Sequence, residues 1–202
     1  MKKVNSTINQ FAPSKIVCVG RNYIEHIHEL HNEIPQNLVL FLKPNSALSH
    51  ELFFISEDCR FEGEICFVVE EGKLAQIGFG LDLTKANIQN YLKQKGLPWE
   101  RAKGFDKSAV FGTFVPLRGD IQTLQMKLWL NGSLQQHATY NLMIYKPDVI
   151  LQEIQSFMSL EDGDIIMTGT PKGVTTYKQG DKIEATIYID NQPVVSEIFY
   201  AK

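Results

Sequence analysis

The chain has 202 residues and a formal net charge of −3, with 44% hydrophobic and 21% charged residues. These values are ordinary for a globular protein, and the length is enough for one domain with a sizeable core. No basic stripe stands out, which argues against nucleic acid or an anionic membrane surface as the main partner.

The cysteines also limit the possible classes of protein. Cys18, Cys59 and Cys66 are too few and too irregularly spaced for a disulfide framework or a zinc site. Cys18 and Cys66 lie within apolar runs, so we expect small buried side chains there.

Met1-Lys2-Lys3 is followed by polar residues, and no window approaches the length of a transmembrane helix. We therefore expect a reducing, cytoplasmic setting.

Short apolar runs separated by turn residues predict mostly strands. Residues 1–14 are polar and are interpreted as a lead-in, followed by a single domain over residues 15–202. Asn131-Gly132 indicates a hairpin turn. The predicted strands cover residues 15–20, 38–42, 51–55, 61–70, 75–82, 124–130, 165–168 and 182–189, with a last strand ending near Tyr200.

Helical spacing predicts about three helices. They cover residues 24–30, ended before Pro35, residues 84–95, with Thr84 as a possible cap, and residues 147–160. Residues 102–115 look irregular. This pattern favours a mostly β domain with a roll or barrel-like sheet.

Two glutamates one residue apart begin the strand over residues 61–70. Alternate side chains of a strand share a face, so Glu62 and Glu64 point the same way and repel each other. Asp82 follows in the next predicted strand. Three oxygen ligands from neighbouring elements suit Mg²⁺ or Mn²⁺. The alternative is that both glutamates belong to the solvent face of an edge strand.

A second cluster covers Glu25-His26-Ile27-His28-Glu29-Leu30-His31. In a helix, His26 and Glu29 share a face, and a carboxylate beside an imidazole makes a general base. The alternatives are a solvated helix face or a zinc site. The order of residues does not match the His-Glu-x-x-His spacing of zincins.

Two further features have weaker signals. Lys103 lies among small and apolar residues, where a half-buried ammonium could bind a carboxylate or stabilise an enolate. The backbone of Gly169 and the hydroxyl of Thr170 follow a strand and could hold a substrate carboxylate. An ordinary surface lysine and a plain turn are the alternatives.

Taken together, these motifs resemble the fumarylacetoacetate hydrolase family in its short form, the catalytic domain alone. The resemblance spans roughly residues 15–190, with the motifs in order. The matching stretches are Val19-Gly20-Arg21-Asn22-Tyr23, His26 with Glu29, Phe41-Leu42-Lys43-Pro44, Phe61-Glu62-Gly63-Glu64, Asp82-Leu83-Thr84, Gly96-Leu97-Pro98-Trp99, Ala102-Lys103-Gly104-Phe105-Asp106, Leu128-Trp129-Leu130-Asn131-Gly132 and the run from Glu161 to Pro171.

The resemblance implies a role for each matching residue. Glu62, Glu64 and Asp82 would bind Mg²⁺, with Mn²⁺ possible. Catalysis would fall to His26 and Glu29, which activate water, and to Lys103, which holds the substrate. The substrate would also contact Arg21, Lys43, Gly169 and Thr170. The family fold is a mostly β roll, and its members usually form homodimers.

The implied reaction is hydrolysis of a C–C bond in an acylpyruvate such as fumarylpyruvate. The alternative on the same site is an oxaloacetate decarboxylase or tautomerase, or a 2-hydroxyhepta-2,4-diene-1,7-dioate isomerase. These reactions need no attack by water and would depend less on His26 and Glu29. A non-catalytic protein that binds a small molecule is a third possibility.

Two departures from the family pattern bear on the substrate. Family members usually carry an Arg-Asp pair in the helix after the third ligand, where this chain has Ala86-Asn87. A Thr three residues before Met is common in the family, whereas Tyr140 precedes Met143 here. The first change concerns how the helix is anchored, and the second concerns the shape of the pocket.

Overall fold

A computed structural model describes residues 1–29 and 36–202. Within this part of the chain, strands predominate, as expected, and there are four helices rather than about three. The strands are β1 Val4–Asn5, β2 Gln10–Phe11, β3 Lys15–Gly20, β4 Val39–Pro44, β5 Leu48–Ser49, β6 Cys59–Glu70, β7 Lys73–Lys85, β8 Ala109–Phe111, β9 Val115–Pro116, β10 Gln125–Leu130, β11 Ser133–Thr139, β12 Ile165–Met167, β13 Thr175–Thr176, β14 Lys182–Ile189 and β15 Gln192–Tyr200. The helices are α1 Ile24–Glu29, α2 Ala86–Gln94, α3 Glu100–Lys103 and α4 Pro147–Phe157.

A large sheet is built around the long hairpin of β6 and β7. Glu71 and Gly72 form its turn, and both have positive φ angles, 49° and 71°, as a tight hairpin turn requires. The strand order is β4-β3-β12-β6-β7-β8-β5, with β13 added to β6 and β9 added to β7. β3 and β12 run parallel, so the sheet is mixed.

A second, antiparallel sheet with the order β11-β10-β14-β15 packs on one face of the first. The main core lies between them and includes Phe61, Phe79, Leu128 and Ile187. Phe61 is an odd-numbered residue of β6, so the even-numbered residues point to the opposite face. The second sheet therefore covers one face of β6 and leaves Glu62 and Glu64 on the other.

The second helix begins later than predicted. α2 starts at Ala86, and the residue before it, Lys85, makes no capping hydrogen bond through its side chain. The prediction of Thr84 as the cap is wrong, because β7 extends to Lys85 and the Thr84 hydroxyl bonds Glu62 instead. The short α3 was missed because four residues are too few to show a helical period.

The strand predicted over residues 51–55 is wrong, because the chain there is irregular between β5 and β6. Other predicted elements agree with the structure. Asn131 and Gly132 connect β10 to β11, and both have positive φ angles. α4 packs Ile150 and Ile154 on the large sheet. The first fourteen residues, interpreted from the sequence as a polar lead-in, differ from that expectation in containing β1 and β2 and in burying Val4 completely. All three cysteines are buried and unbridged. Leu30, His31 and Pro35 lie outside the described residues.

No helix in residues 1–29 or 36–202 has the length and apolar character that crossing a bilayer requires.

Asp164 joins the start of β3 to the turn before β12. Its Oδ1 accepts hydrogen bonds from the Ser14 hydroxyl at 2.8 Å and from the N–H groups of Ser14 and Lys15. Its Oδ2 pairs with Lys15 Nζ at 2.5 Å and accepts from the N–H of Glu161. Burial would raise the pKa of Asp164, but these donors outweigh it and lower that pKa.

Asp164→Asn should lower the free energy of unfolding by about 2 kcal/mol at pH 7, because an amide replaces a buried carboxylate that accepts several hydrogen bonds. A lowered pKa in the folded state stabilises above the unfolded pKa of about 3.9 and is lost as pH falls below it. The difference from wild type, measured by urea denaturation, should therefore shrink below about pH 4. Asp162→Asn is the control, since Asp162 is exposed and accepts one hydrogen bond, from the Glu71 N–H. Equal losses for both variants would contradict the role of Asp164.

Candidate active site

Three carboxylates converge at the base of the β6–β7 hairpin. Glu62 and Glu64 share a face of β6, and the strand register places Asp82 of β7 directly opposite Glu62. One oxygen from each residue lies within 4.8 Å of the other two. The sequence predicted this cluster, and strand pairing is what brings Asp82 to it.

Burial makes the charge of this cluster costly. The exposed fraction is 1% for Glu64 and zero for Asp82. Burial raises the pKa of Glu64 well above its usual range, and the negative charges of Asp82 and Glu62 raise it further. Glu64 thus faces an excess of negative charge, which favours a bound cation.

Lys103 offsets part of this negative charge. Its Nζ lies 2.6 Å from Asp82 Oδ2, 2.9 Å from Glu62 Oε2 and 2.5 Å from the Thr84 hydroxyl. Burial would lower the pKa of Lys103, but the charges of Asp82 and Glu62 outweigh it and raise that pKa. Burial would raise the pKa of Glu62, yet the positive charge of Lys103, followed by that of His26 and by hydrogen bonds from Lys103 and Thr84, together lower it to about 2. Lys103 and Glu62 are therefore both charged at neutral pH.

Lys43 lies behind Asp82 and is fully buried. Its Nζ is 2.8 Å from Asp82 Oδ1 and donates to the carbonyls of Ser108, at 3.0 Å, and of Lys103. The resemblance implied that Lys43 contacts the substrate. Its position instead favours an electrostatic role, because its ammonium group is enclosed by backbone and Asp82.

The cluster fits a hard divalent cation. Asp82 Oδ1 is buried, and no described residue donates a hydrogen bond to it in good geometry, although Lys43 Nζ is near. Three carboxylates are the oxygen ligands that Mg²⁺ and Mn²⁺ prefer. A divalent ion would leave a formal charge of −1 on the cluster, and two buried lysines would make the whole site +1. Such a site suits an anionic substrate.

The loop after β12 holds Glu64 in place. The N–H of Gly169 donates to Glu64 Oε2 at 2.7 Å. Gly169 has a φ of 92°, and a Cβ there would come within 2.9 Å of Asn22 Cβ and 3.1 Å of the Val19 carbonyl. Thr170 donates its hydroxyl to the Gly63 carbonyl. These bonds place Gly169 and Thr170 beside the predicted ligands, where they position β6 rather than offer free donors to a substrate.

Gln136 of β11 completes this support and was missed in the sequence. Its Nε2 donates to the Thr170 hydroxyl at 2.8 Å and to the Pro171 carbonyl, while its Oε1 accepts from the Gly63 N–H. No local pattern marks this glutamine. The available signal was weak: Gln136 alternates with Leu134 and Ala138, so a polar residue interrupts an otherwise apolar strand face.

His26 and Glu29 pair as predicted. His26 Nδ1 is 3.2 Å from Glu29 Oε2, and the Gly173 N–H donates to the same carboxylate at 3.0 Å. His26 is 5% exposed. It lines a small cavity together with Arg21, Glu62 and Lys103. The carboxylate thus orients the imidazole, and Nε2 is the nitrogen left for a substrate.

A larger cavity of about 510 Å³ adjoins the small one, since Glu62, Gln89 and Lys93 line both. Arg60 and Glu29 also line the larger cavity. The sequence did not identify Arg60, Gln89 or Lys93. The signal for Arg60 was its spacing, because it lies two residues before Glu62 on the same strand face.

These features define a class of protein: a β-rich domain with a buried acidic cluster at the foot of a cavity and an imidazole–carboxylate pair in its wall. The model of the fumarylacetoacetate (FAA) hydrolase C-terminal domain matches residues 15–196. The chain therefore belongs to the fumarylacetoacetate hydrolase family of enzymes.

Individual relatives are also similar over most of their length. The mitochondrial oxaloacetate tautomerase FAHD1 of Bos taurus is 38% identical over 195 residues, covering 86% of each chain. Oxaloacetate tautomerase YcgM of Escherichia coli K12 is 35% identical over 192 residues, covering 86% of this chain and 88% of its own. The solved structure of yeast ynq8, a fumarylacetoacetate hydrolase family protein, has a TM-score of 0.82 at 31% identity, covering 95% of this chain and 94% of that one.

The carboxylate cluster should bind one Mn²⁺ per chain, which electron paramagnetic resonance or calorimetric titration would measure. Glu64→Gln should weaken binding at least about tenfold, because one of three anionic ligands is lost. Glu57→Gln, an exposed position near the start of the same strand, should bind Mn²⁺ like wild type. Equal affinity of the Glu64 variant and wild type would show that the ion binds elsewhere.

Proposed function

We propose that this chain is a divalent-metal-dependent oxaloacetate tautomerase, which interconverts the enol and keto forms of a four-carbon oxo diacid. The observation that carries the proposal is the carboxylate cluster with two buried lysines beside the His26–Glu29 pair. Two relatives with 38% and 35% identity over most of the chain are oxaloacetate tautomerases. They favour the tautomerase alternative over the acylpyruvate hydrolase that the sequence first suggested.

The metal ion would be held by Glu62, Glu64 and Asp82, and we infer Mg²⁺, with Mn²⁺ as a substitute. When bound, it would polarise the keto oxygen and the adjacent carboxylate of the substrate and stabilise the enolate charge. Lys103 lines the same cavity and places a second positive charge near these oxygens. The site as a whole is therefore suited to stabilise an enolate.

Tautomerisation moves a proton between C3 and the oxygen on C2. We assign the transfer at C3 to His26 Nε2, because Nδ1 is occupied by Glu29 and the ring lines the cavity beside Glu62. Lys103 is poorly suited to this step, since the charges of two carboxylates raise its pKa and keep it protonated. This assignment differs from the sequence-based expectation that tautomerisation would depend less on His26 and Glu29 than hydrolysis does.

Acylpyruvate hydrolysis is the second candidate, and the intact His26–Glu29 pair is what favours it. In that reaction, the same imidazole would take a proton from water rather than from C3. A homodimer and a cytoplasmic location remain predictions.

The enzymatic proposal is tested with enol-oxaloacetate, whose absorbance decays as the keto form appears. We expect the chain to accelerate this decay with Mg²⁺ or Mn²⁺ and to lose the effect in EDTA, because the cluster needs a cation. Fumarylpyruvate and other acylpyruvates, followed in the same way, should turn over more slowly. Faster turnover of an acylpyruvate would favour the hydrolase, and no metal-dependent turnover of any substrate would reject both.

His26→Gln should lower kcat for enol-oxaloacetate decay at least about 100-fold, since a positioned proton carrier typically contributes 10²–10⁴-fold. Exchange of the C3 protons for deuterium, followed by NMR in D₂O, should slow in parallel. His28→Gln is the matched control, because His28 lies on the exposed face of the same helix. Unchanged deuterium exchange in the His26 variant would remove His26 from the proton transfer.

A further inference from the structure

Arg60 belongs to the same row of side chains as two of the predicted metal ligands. Arg60, Glu62 and Glu64 alternate along one face of β6, so Arg60 lies about 7 Å along the strand from Glu62. Across the cavity of about 510 Å³, α2 presents Gln89 and Lys93, which are four residues apart and share a face of the helix. A guanidinium and an ammonium group thus line the cavity next to the carboxylate cluster.

Within the described part of the chain, these two cations have no carboxylate partner. Among residues 1–29 and 36–202, neither Arg60 nor Lys93 forms an ion pair, and Lys93 Nζ instead lies 5.3 Å from the ring centroid of Trp99. Burial lowers the pKa of Lys93, and the positive charge of Arg21 lowers it by more than the negative charge of Glu62 raises it, while Lys103 and Arg60 lower it further. This part of the cavity therefore carries an excess of positive charge.

The acidic residues that line the cavity are already engaged. Glu29 is held by His26 and the Gly173 N–H. Glu62 accepts from Lys103 and Thr84. The positive charge of Arg60 and Lys93 is thus available to an anion that enters the cavity.

At its start α2 lacks the arginine that family members usually carry, and the cation that it contributes to the cavity wall is Lys93, near its end. Ala86 stands where family members usually have Arg, and it lines the same cavity as Arg60. An alanine leaves room on the helix side of the cavity. The opposite wall, β6, supplies a guanidinium instead.

We propose that Arg60 and Lys93 bind the second carboxylate of the substrate, the one that does not face the metal ligands, and so select oxo diacids over oxo monoacids. A guanidinium can bind a carboxylate through two parallel hydrogen bonds, and the ammonium group adds a point charge. The inference rests on the proposed function for the identity of the substrate.

The test compares two stable ligands that differ by one carboxylate. L-malate has the carbon skeleton of oxaloacetate, and L-lactate lacks the second carboxylate. Calorimetric titration of the Mn²⁺-loaded protein should show that wild type binds L-malate at least about tenfold more tightly than L-lactate, as expected for a charged carboxylate bound by two cations. Arg60→Gln and Lys93→Gln should each reduce that ratio, and the double variant should abolish it.

Oxalate has no distal carboxylate, so its dissociation constant should be the same for all of these proteins within about twofold. Weaker binding of oxalate by a variant would indicate damage to the metal site. Arg60→Lys should keep part of the preference for malate because it keeps the charge. Arg101→Gln, at an exposed position on α3, is the matched control. Wild type without a preference for malate, or a double variant that retains it, would overturn the inference.

The same variants test the distal carboxylate site separately from the tautomerase activity on which this inference rests. Arg60→Gln should raise KM for oxaloacetate about tenfold with a smaller effect on kcat, because the distal carboxylate is bound equally in the ground and transition states. A malate preference that depends on Arg60 in a protein without tautomerase activity would reject the proposed reaction and retain the carboxylate site.

Discussion

Three carboxylates within 4.8 Å of one another in a buried site are the constraint around which this structure is arranged. Like charges at this distance in a medium of low dielectric constant repel strongly, and two of them are almost completely shielded from water. Lys43 contacts Oδ1 of Asp82 and Lys103 contacts Oδ2, and their two positive charges offset two of the three negative charges. The remaining charge is most simply offset by a cation, and this links the electrostatics of the fold to the proposed chemistry.

The sandwich of two sheets makes such a site possible. Odd-numbered residues of β6 pack into the apolar core, while the even-numbered ones form the site, so one strand serves stability and chemistry on opposite faces. Gly63 shows how closely the layers approach, because a Cβ there would lie 2.5 Å from Leu128 Cδ1. The backbone of this glycine also bonds Gln136 and Thr170. Packing between the sheets thus holds the ligand strand in register.

The departures from the family pattern have local explanations. Where family members carry an Asp in the helix, the Asn87 N–H donates to Asp58 Oδ2 and the Ala86 N–H donates to the Asp58 carbonyl. Asp58, in the loop before β6, therefore anchors the start of α2. Tyr140 packs against the main core and lies beneath Lys146 Nζ, 4.8 Å from its ring centroid. The loss of the helix arginine leaves Ala86 in the wall of the cavity that Arg60 also lines.

Local patterns were sufficient for much of the fold and for the centre of the site. The two-residue period placed Glu62 and Glu64 on one face, the three-residue spacing paired His26 with Glu29, and Asn131-Gly132 located a hairpin. These features depend on neighbours in sequence, so they are visible without a structure.

Tertiary structure decided the parts of the site that join distant residues. Thr84 was expected to cap a helix, but its hydroxyl bonds Glu62 because β7 continues past it. Sequence marked Lys103 by its small and apolar neighbours and Lys43 only through the family resemblance. Tertiary structure separates their positions, because Lys43 is enclosed behind Asp82 whereas Lys103 lines the cavity. Gln136 reaches Gly63 across 73 residues of sequence. Spacing along the chain specifies which side chains share a face of one element, whereas the packing of sheets and helices determines which faces meet.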